Sequence, residues 1–254
     1  WNIGQLKPDE QRNIFEESYT ALNKILSKKI NNPKLNSFKA GSWGLQPFET
    51  LYDLFNDRGI KLVMGPIQNL VIKNLSVDYR GLHSSYFPYY ASKMDIKKVD
   101  IKKNIVVLPM TPTYLNWFDL IRYLYEIIFK NKINKSSNFD VYDVPDNIKK
   151  LQPLKGKDKL SFTLRPFKTH LKINAQKFWY LKNTFNRSYN FIKNSKSDYK
   201  LMVIETHTKD FLNNIKDIDK FFKYLKNNYS DIEFITTSDL LNDIESNVFK
   251  PING

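Results

Sequence analysis

Apolar side chains recur along this chain in two patterns, one typical of amphipathic helices and the other typical of short buried strands. Helical spacing begins at Pro8, continues through Leu22 and Leu26, and is stopped by Asn31–Pro33. The short segment Leu35–Ala40 follows, and its alternation predicts a strand. A helix followed by a strand is the order typical of an α/β protein.

The same alternation of helix and strand continues over most of the chain. The patterns predict further helices over Gln46–Asn56, Tyr114–Asn131, Ala175–Ile192, Ile215–Lys226 and Ser238–Ile244, with Ser238 as the N-cap of the last. They predict buried strands over Ile60–Met64, Ile105–Pro109, Leu160–Phe167, Leu201–Glu205 and Ile232–Ile235. This alternation favours parallel pairing. We expect one domain over residues 1–254, with a polar insertion near 132–159.

Composition narrows the class of protein. A chain of 254 residues with 41% hydrophobic content can bury a sizeable core. The absence of Cys excludes disulfides, thiolate metal sites and a Cys nucleophile. The net charge of +14 comes mostly from Lys spread along the chain, so we do not expect nucleic-acid binding. No apolar run approaches the ~18 residues needed to span a bilayer.

Candidate chemistry starts from the three His residues, of which His207 has the most informative context. The apolar run Leu201–Ile204 leads to Glu205-Thr206-His207, at the carboxyl end of a predicted strand. Catalytic groups gather at that end of the strands in α/β barrels. The alternative is a His that is satisfied by a neighbouring backbone carbonyl.

A second candidate segment is Ser37–Gly44, which runs from a predicted strand into a turn that contains two Gly residues. Small residues let a ligand approach the backbone N–H groups, and Trp43 offers a face on which a sugar can stack. The alternative is a turn with a half-buried Trp that has only a structural role.

Five segments, taken in order, resemble the polysaccharide deacetylase family, also called the NodB-homology or carbohydrate esterase family 4 fold. They are Phe38–Gly44, Tyr86–Tyr90, Ile105–Pro109, Ile204–His207 and Glu233–Leu240. The resemblance covers most of the chain. It implies a distorted (β/α)-barrel-like fold with a mostly parallel sheet that lacks its first strands here.

The resemblance also implies an activity, the hydrolysis of acetyl groups from a polysaccharide or amino sugar by a metal-bound water. His207 would be the general acid, since its ordinary pKa lies near working pH. Lys39 stands where the family has Arg and would hold a catalytic carboxylate by charge. The residues expected to bind substrate are Ser42, Trp43, Tyr86 and Tyr89. The divalent metal, zinc by this resemblance, and the catalytic Asp are expected upstream of Trp1.

Several alternatives stay open at this stage. A deacetylase-like module that binds glycans without catalysis would use the same aromatic residues, and a basic surface protein would hold anionic polymers through its Lys-rich segments. The carboxylate partner of His207 could be Asp78, Asp95 or Asp119. The compartment is equally open between the cell envelope and the cytoplasm. A carbohydrate is the expected partner.

Overall fold

The computed structural model describes residues 3–100, 104–116, 118–119, 121–122, 125, 169–173, 176–195, 200–206 and 214–252. The chain divides into two compact units. Unit 1 contains Trp1–Thr111, Ser197–Met202 and Glu233–Gly254, and unit 2 contains Pro112–Lys196 and Val203–Ile232. The single domain over residues 1–254 stays a prediction.

The described strands are short. In chain order they are β1 (Ser37–Lys39), β2 (Leu62–Met64), β3 (Val71–Ile72), β4 (Val77–Asp78), β5 (Tyr89–Tyr90), β6 (Val106–Leu108), β7 (Pro112–Thr113) and β8 (Thr169–His170). The helices are α1 (Pro8–Leu26), α2 (Glu49–Asp57), α3 (Phe178–Lys193), α4 (Ile215–Asn228) and α5 (Thr237–Glu245). Helices and strands alternate along the chain, which confirms an α/β fold.

A four-stranded sheet organises unit 1, in the order β1-β2-β6-β5. Strand β2 pairs in parallel with β1 on one side and with β6 on the other, while β5 pairs antiparallel with β6. The sheet is therefore mostly parallel, as the alternating pattern predicts. All three residues of β6 are buried, as is typical of a parallel strand that is covered on both faces.

Helices α1 and α2 pack against each other in unit 1. Their apolar faces meet in a cluster of aromatic rings, in which Phe55 lies 5.6 Å from Phe15 and 4.8 Å from Phe38 between ring centroids. Phe55 is fully buried, and Phe15 is nearly so. Because these rings come from two helices and one strand, their burial fixes the helices against the sheet.

Unit 2 is built around helices α3 and α4. Phe185 of α3 and Phe221 of α4 are buried and meet edge to face, with 5.6 Å between their ring centroids. The antiparallel pair of β7 and β8 lies beside α3, where the Thr113 hydroxyl donates a 2.8 Å hydrogen bond to the Thr184 carbonyl. These contacts hold β8 in a fixed position within the unit.

Three sequence predictions are wrong or need new bounds. Leu201–Glu205 forms no regular strand, because Glu205 alone among these residues makes a bridge. Ile232–Ile235 is not a strand. The N-cap of α5 is Thr236 and not Ser238, since the Thr236 hydroxyl accepts the backbone N–H of Asp239 at 3.1 Å.

Other predictions are confirmed or lie outside the described part of the chain. The helix predicted from Pro8, the strand at Ile105–Pro109 and the helix at Ile215–Lys226 are present with small shifts of their ends. The strand predicted over Leu160–Phe167 and the polar insertion near 132–159 lie outside the described residues. None of the described helices has the length and the apolar composition that crossing a membrane requires. A closed barrel is not seen among the described strands.

Candidate functional site

The last residues of three parallel strands, β1, β2 and β6, lie next to one another at the carboxyl end of these strands in the unit 1 sheet. In the observed register, Lys39 pairs with Met64, and Met64 pairs with Leu108. In open α/β sheets, ligands bind beyond the carboxyl ends of the strands. The turn after β1, part of the candidate segment Ser37–Gly44, therefore starts at the end of the sheet where such sites form.

A short 3-10 helix, Gly41–Trp43, follows the carboxyl end of β1. Trp43 is half-buried, and its φ of 57° is in the left-handed region that non-glycine residues rarely adopt. The Trp43 carbonyl accepts a hydrogen bond from the hydroxyl of Tyr79, a fully buried residue whose pKa is raised by burial. Because this hydroxyl stays protonated, it is a permanent donor that holds the turn.

The other residues expected at the site in unit 1, catalytic Lys39 and the substrate-binding Ser42, Tyr86 and Tyr89, differ in exposure. Lys39 is exposed and Tyr86 is half-buried, so both present some surface. Tyr89 is fully buried, and its hydroxyl donates a 2.7 Å hydrogen bond to the Ile96 carbonyl. Tyr89 thus has no surface with which a sugar could make contact in this structure. The side chain of Ser42 lies outside what the structure describes.

The residues with the most informative chemistry lie in unit 2, beside β8. Lys172 forms a parallel bridge with Glu205. Two backbone hydrogen bonds frame this bridge, from the Glu205 N–H to the Leu171 carbonyl at 3.0 Å and from the Ile173 N–H to the Glu205 carbonyl at 2.8 Å. Glu205 is therefore held against the extended segment that follows His170.

Alternation along this segment separates its polar side chains from its apolar ones. Leu171 and Ile173 are buried on one face, so His170 and Lys172 lie on the other. Bridged residues share a face, which brings Glu205 to the same side. His170 Nε2 lies 2.8 Å from Glu205 Oε2, and their side chains are only 11% and 2% exposed.

Burial also shapes the electrostatics of this group. It lowers the pKa of the half-buried Lys172 amine, and the negative charge of Glu205 offsets part of that effect. The group thus places a buried carboxylate at hydrogen-bond distance from an imidazole and within electrostatic reach of an amine. We define His170, Lys172 and Glu205 as the His-Lys-Glu cluster.

No protein-family model, curated protein or solved structure matches this chain. The function of the site is therefore inferred from its residues and from their chemical surroundings. Within the described ranges, no group of three or more His, Asp or Glu side chains could hold a metal ion.

His207, the expected general acid, lies outside the described residues, two positions after Glu205 in the chain. Each of its three possible carboxylate partners has another described contact. Asp78 accepts from the Arg80 guanidinium, which keeps the pKa of Asp78 below its usual range. Asp95 accepts from the backbone N–H of Lys97 at 3.0 Å. Asp119 is buried and pairs with Arg187.

Sequence analysis missed His170 and Lys172 as a pair. The signal was present in Thr169–Ile173, where two basic residues alternate with two apolar ones, as expected for a strand with one polar face. Glu205 was noticed only as part of the segment that ends at His207. What sequence could not supply is the bridge between Lys172 and Glu205, which joins segments that are far apart in the chain.

Proposed function

We propose that this chain belongs to a hydrolase that removes acetyl groups from a polysaccharide or an amino sugar. The observation that carries the proposal is the position of one of the segments with the resemblance. Ser37–Gly44 includes β1 and continues beyond its carboxyl end, in the parallel part of the unit 1 sheet. Carboxyl ends of parallel strands are where α/β enzymes carry their catalytic groups.

The local chemistry supports hydrolysis. His207 is proposed to protonate the leaving nitrogen or oxygen. Trp43 and Tyr86 supply aromatic surface for a sugar ring, and backbone N–H groups of the Gly41–Trp43 turn are candidate donors to the oxyanion. Lys39, the exposed last residue of β1, supplies positive charge at the carboxyl end of that strand. Tyr89 is not included, because it is fully buried.

The proposal extends to the fold and to the metal. Three parallel strands connected through helix and loop, as β1, β2 and β6 are, support a (β/α)-barrel-like arrangement of the NodB type. The divalent metal of that family, expected to be zinc, is assigned to no described residue, since they offer no ligand group.

Acetate release tests the proposal directly. The protein would be incubated, with and without added zinc, with an N-acetylated oligosaccharide or with an O-acetylated one, and free acetate would be measured. Where the metal ligands and the catalytic Asp that the resemblance expects upstream of Trp1 are also present, we expect acetate release by the wild type and a loss of about 100-fold or more in kcat for His207→Ala. His83→Ala is a matched control, because His83 is an exposed histidine of unit 1.

Two outcomes would contradict the proposal. Wild-type activity in a folded His207→Ala variant would exclude His207 as the general acid. Saturable binding of the oligosaccharide with no acetate release would instead favour the non-catalytic glycan-binding module.

A further inference from the structure

Helix α1 carries a stripe of mostly apolar residues beside the face that packs into unit 1. Phe15 belongs to the packed face and is only 3% exposed. We define the α1 stripe as Ile14, Ser18, Ala21 and Ile25. Ile25 is 60% exposed, and Leu22 beside the stripe is 52% exposed. The C-terminal half of the stripe is therefore open to solvent, although its side chains are apolar.

The spacing of the α1 stripe is typical of a helix that packs lengthwise against another helix. Its members follow one another at intervals of four, three and four residues, which keeps one side of a helix turned to its partner. Ser18 and Ala21, at the centre, have short side chains, so two such helices can approach closely there. Single exposed apolar residues are common on protein surfaces, but this regular spacing indicates a helix–helix contact.

Charged residues follow the α1 stripe along one flank. Glu17 and Lys24 are seven residues apart, so they lie on the same side of the helix. Both are exposed, and no ion pair joins either of them to another described residue. Acids in the first turn and a lysine in the last also suit the helix dipole, but that effect does not extend to Glu17 in the middle of the helix.

We propose that a second copy of this chain binds to the α1 stripe, with the two helices antiparallel and related by a two-fold axis. In such a pair, the sequence numbers of facing residues have a constant sum. Ile14 of each copy then faces Ile25 of the other, and Ser18 faces Ala21 of the second copy. The apolar side chains of the stripe are thereby removed from water in both copies.

The charges of the flank fit this antiparallel register. It brings Glu17 of each copy close to Lys24 of the other, so that two symmetric ion pairs form. In a parallel pair, Glu17 would instead face Leu22 of the other copy, and neither ion pair would form. The order of acid and base along α1 therefore selects the antiparallel arrangement.

An anionic membrane surface is the other partner that exposed apolar and basic residues fit. The C-terminal end of α1 suits it, since Lys24, Lys28 and Lys29 lie near Ile25. An anionic surface would, however, repel Glu17 on the same flank and the two acids of the first turn. The acidic half of the helix therefore favours a second copy over a lipid surface.

Sedimentation equilibrium over a concentration series measures the association. One helix from each copy buries less than the ~1,600 Å² of a typical stable interface, so we expect a weak dimer, with a Kd of roughly 10 to 100 μM. Leu22→Ser and Ile25→Ser should each raise the Kd about 10-fold. Met94→Ser is the matched control, because Met94 is a 69% exposed apolar residue of unit 1 outside α1, and it should leave the Kd unchanged.

Charge reversal tests the register. Glu17→Lys and Lys24→Glu should each raise the Kd about 5- to 10-fold, because each makes both pairs like-charged. The double variant should return to the wild-type Kd, and a mixture of the two single variants should form heterodimers in preference to homodimers. Arg12→Glu reverses an exposed charge on another side of α1 and should have no effect.

Cross-linking tests the geometry without disturbing the apolar contact. Because the chain has no cysteine, one introduced thiol marks one position. Ser18→Cys lies at the centre of the proposed contact, whereas Thr20→Cys lies on another side of the helix, and both positions are exposed. A short bismaleimide should link two copies of Ser18→Cys and should not link copies of Thr20→Cys. Circular dichroism confirms that each variant is folded.

Three outcomes would overturn the proposal. They are a wild type that stays monomeric up to millimolar concentration, a dimer whose Kd does not respond to Ile25→Ser or to charge reversal, and equal cross-linking of Ser18→Cys and Thr20→Cys. Co-sedimentation with vesicles of phosphatidylserine and phosphatidylcholine tests the lipid alternative. Vesicle binding by a monomer, lost in Ile25→Ser, would assign the α1 stripe to a membrane surface instead. Acetate release is measured separately and does not depend on any of these results.

Discussion

The side-chain amide of Gln46 makes two hydrogen bonds to the backbone of Asp78, much as a neighbouring strand would. Gln46 Nε2 donates to the Asp78 carbonyl at 3.0 Å, and the Asp78 N–H donates to Gln46 Oε1 at 2.7 Å. These bonds tie the loop before α2 to β4, close to the turn that carries Trp43.

Removal of this amide should destabilise unit 1. Gln46→Ala leaves a half-buried donor and acceptor of Asp78 without their partners, and we expect a loss of about 1 to 3 kcal/mol in the free energy of unfolding. Urea denaturation measures it. Gln46→Glu keeps an acceptor and loses the donor, so it should be intermediate. An unfolding midpoint equal to wild type in Gln46→Ala would show that the two bonds add no stability.

Gly4 lies so close to the backbone of Gln46 that position 4 has no room for a side chain. A Cβ at position 4 would come within 2.4 Å of the Gln46 carbonyl oxygen, and the neighbouring atoms are backbone that cannot rotate away. We expect Gly4→Ala to cost about 3 kcal/mol, at the upper end of overpacking effects.

Gly81→Ala is the matched control for Gly4→Ala. A Cβ at Gly81 meets nothing within 4 Å, and only its φ of +71° opposes the substitution, at about 1 to 2 kcal/mol. Thermal unfolding compares the two variants. A smaller loss for Gly4→Ala than for Gly81→Ala would contradict the close approach.

The stabilisation of the first turn of α5 by Asp239 should decrease at acid pH. Asp239 Oδ2 accepts hydrogen bonds from the N–H and the hydroxyl of Thr236, at 2.8 and 2.7 Å, which lowers the pKa of Asp239 below its ordinary value of 3.8. The stabilisation is therefore complete at neutral pH and is lost as pH falls through 3.8 and below. Asp239→Asn should be less stable at pH 7 and should lose less stability than wild type between pH 5 and pH 2.

Measurement of Tm against pH for the wild type and Asp239→Asn tests this expectation. Parallel curves would exclude a contribution from Asp239. Thr236→Ala removes the cap on the helix and should cost about 1 kcal/mol at neutral pH.

Asp119 and Arg187 form a buried ion pair in unit 2, with side chains that are 8% and 16% exposed. Asn183 donates a further 2.8 Å hydrogen bond to Asp119, and Arg187 donates one of 2.9 Å to the Tyr114 carbonyl. Loss of one partner leaves a buried charge alone, so Arg187→Ala and Asp119→Ala should each cost about 3 kcal/mol or more.

A double-mutant cycle gives the interaction between Asp119 and Arg187. The double variant should lose clearly less stability than the sum of the two single losses, because neither charge is then left unpaired. Additive losses, measured by urea denaturation, would show that the two side chains contribute independently.

Lys172→Met should destabilise unit 2. Burial lowers the pKa of the Lys172 amine, and the negative charge of Glu205 opposes that shift. Because Glu205 is nearly inaccessible to water, loss of the amine leaves a buried carboxylate with one positive neighbour fewer, and we expect a loss of about 1 to 3 kcal/mol in the free energy of unfolding. Urea denaturation measures it, and an unfolding midpoint at or above that of the wild type would contradict this expectation.

Sequence pattern predicted the α-helices and the three parallel strands of unit 1, since their signals are local, but it did not predict β3, β4 or β5. The spacing from Pro8 to Leu26 and the apolar run at Ile105–Pro109 each determine one element. The pattern failed at Ile232–Ile235, where an apolar alternation has no strand partner among the described residues. Strand formation depends on a neighbour that local sequence does not reveal.

In the candidate site, too, features with a local signal were predictable and contacts between distant segments were not. The turn after β1 was predictable from its Gly and Trp residues, whereas Glu205 was noticed only as part of the segment that ends at His207. The partnership of His170 with Glu205 was not, because 35 positions separate them and only the bridge at Lys172 brings them together. Tyr89 looked like a surface aromatic in sequence, but its ring and hydroxyl are both enclosed by unit 1.

The two outer strands of the unit 1 sheet show how its edges avoid pairing with other chains. Strand β1 is only three residues long and ends in the exposed Lys39, which is unfavourable for an incoming strand. Next to β5, Ile252 makes a bridge to Tyr89 and donates its N–H to the Pro88 carbonyl at 2.9 Å. The segment around Ile252 therefore covers backbone groups that would otherwise promote aggregation, and a chain ending at Phe249 should self-associate in light-scattering measurements.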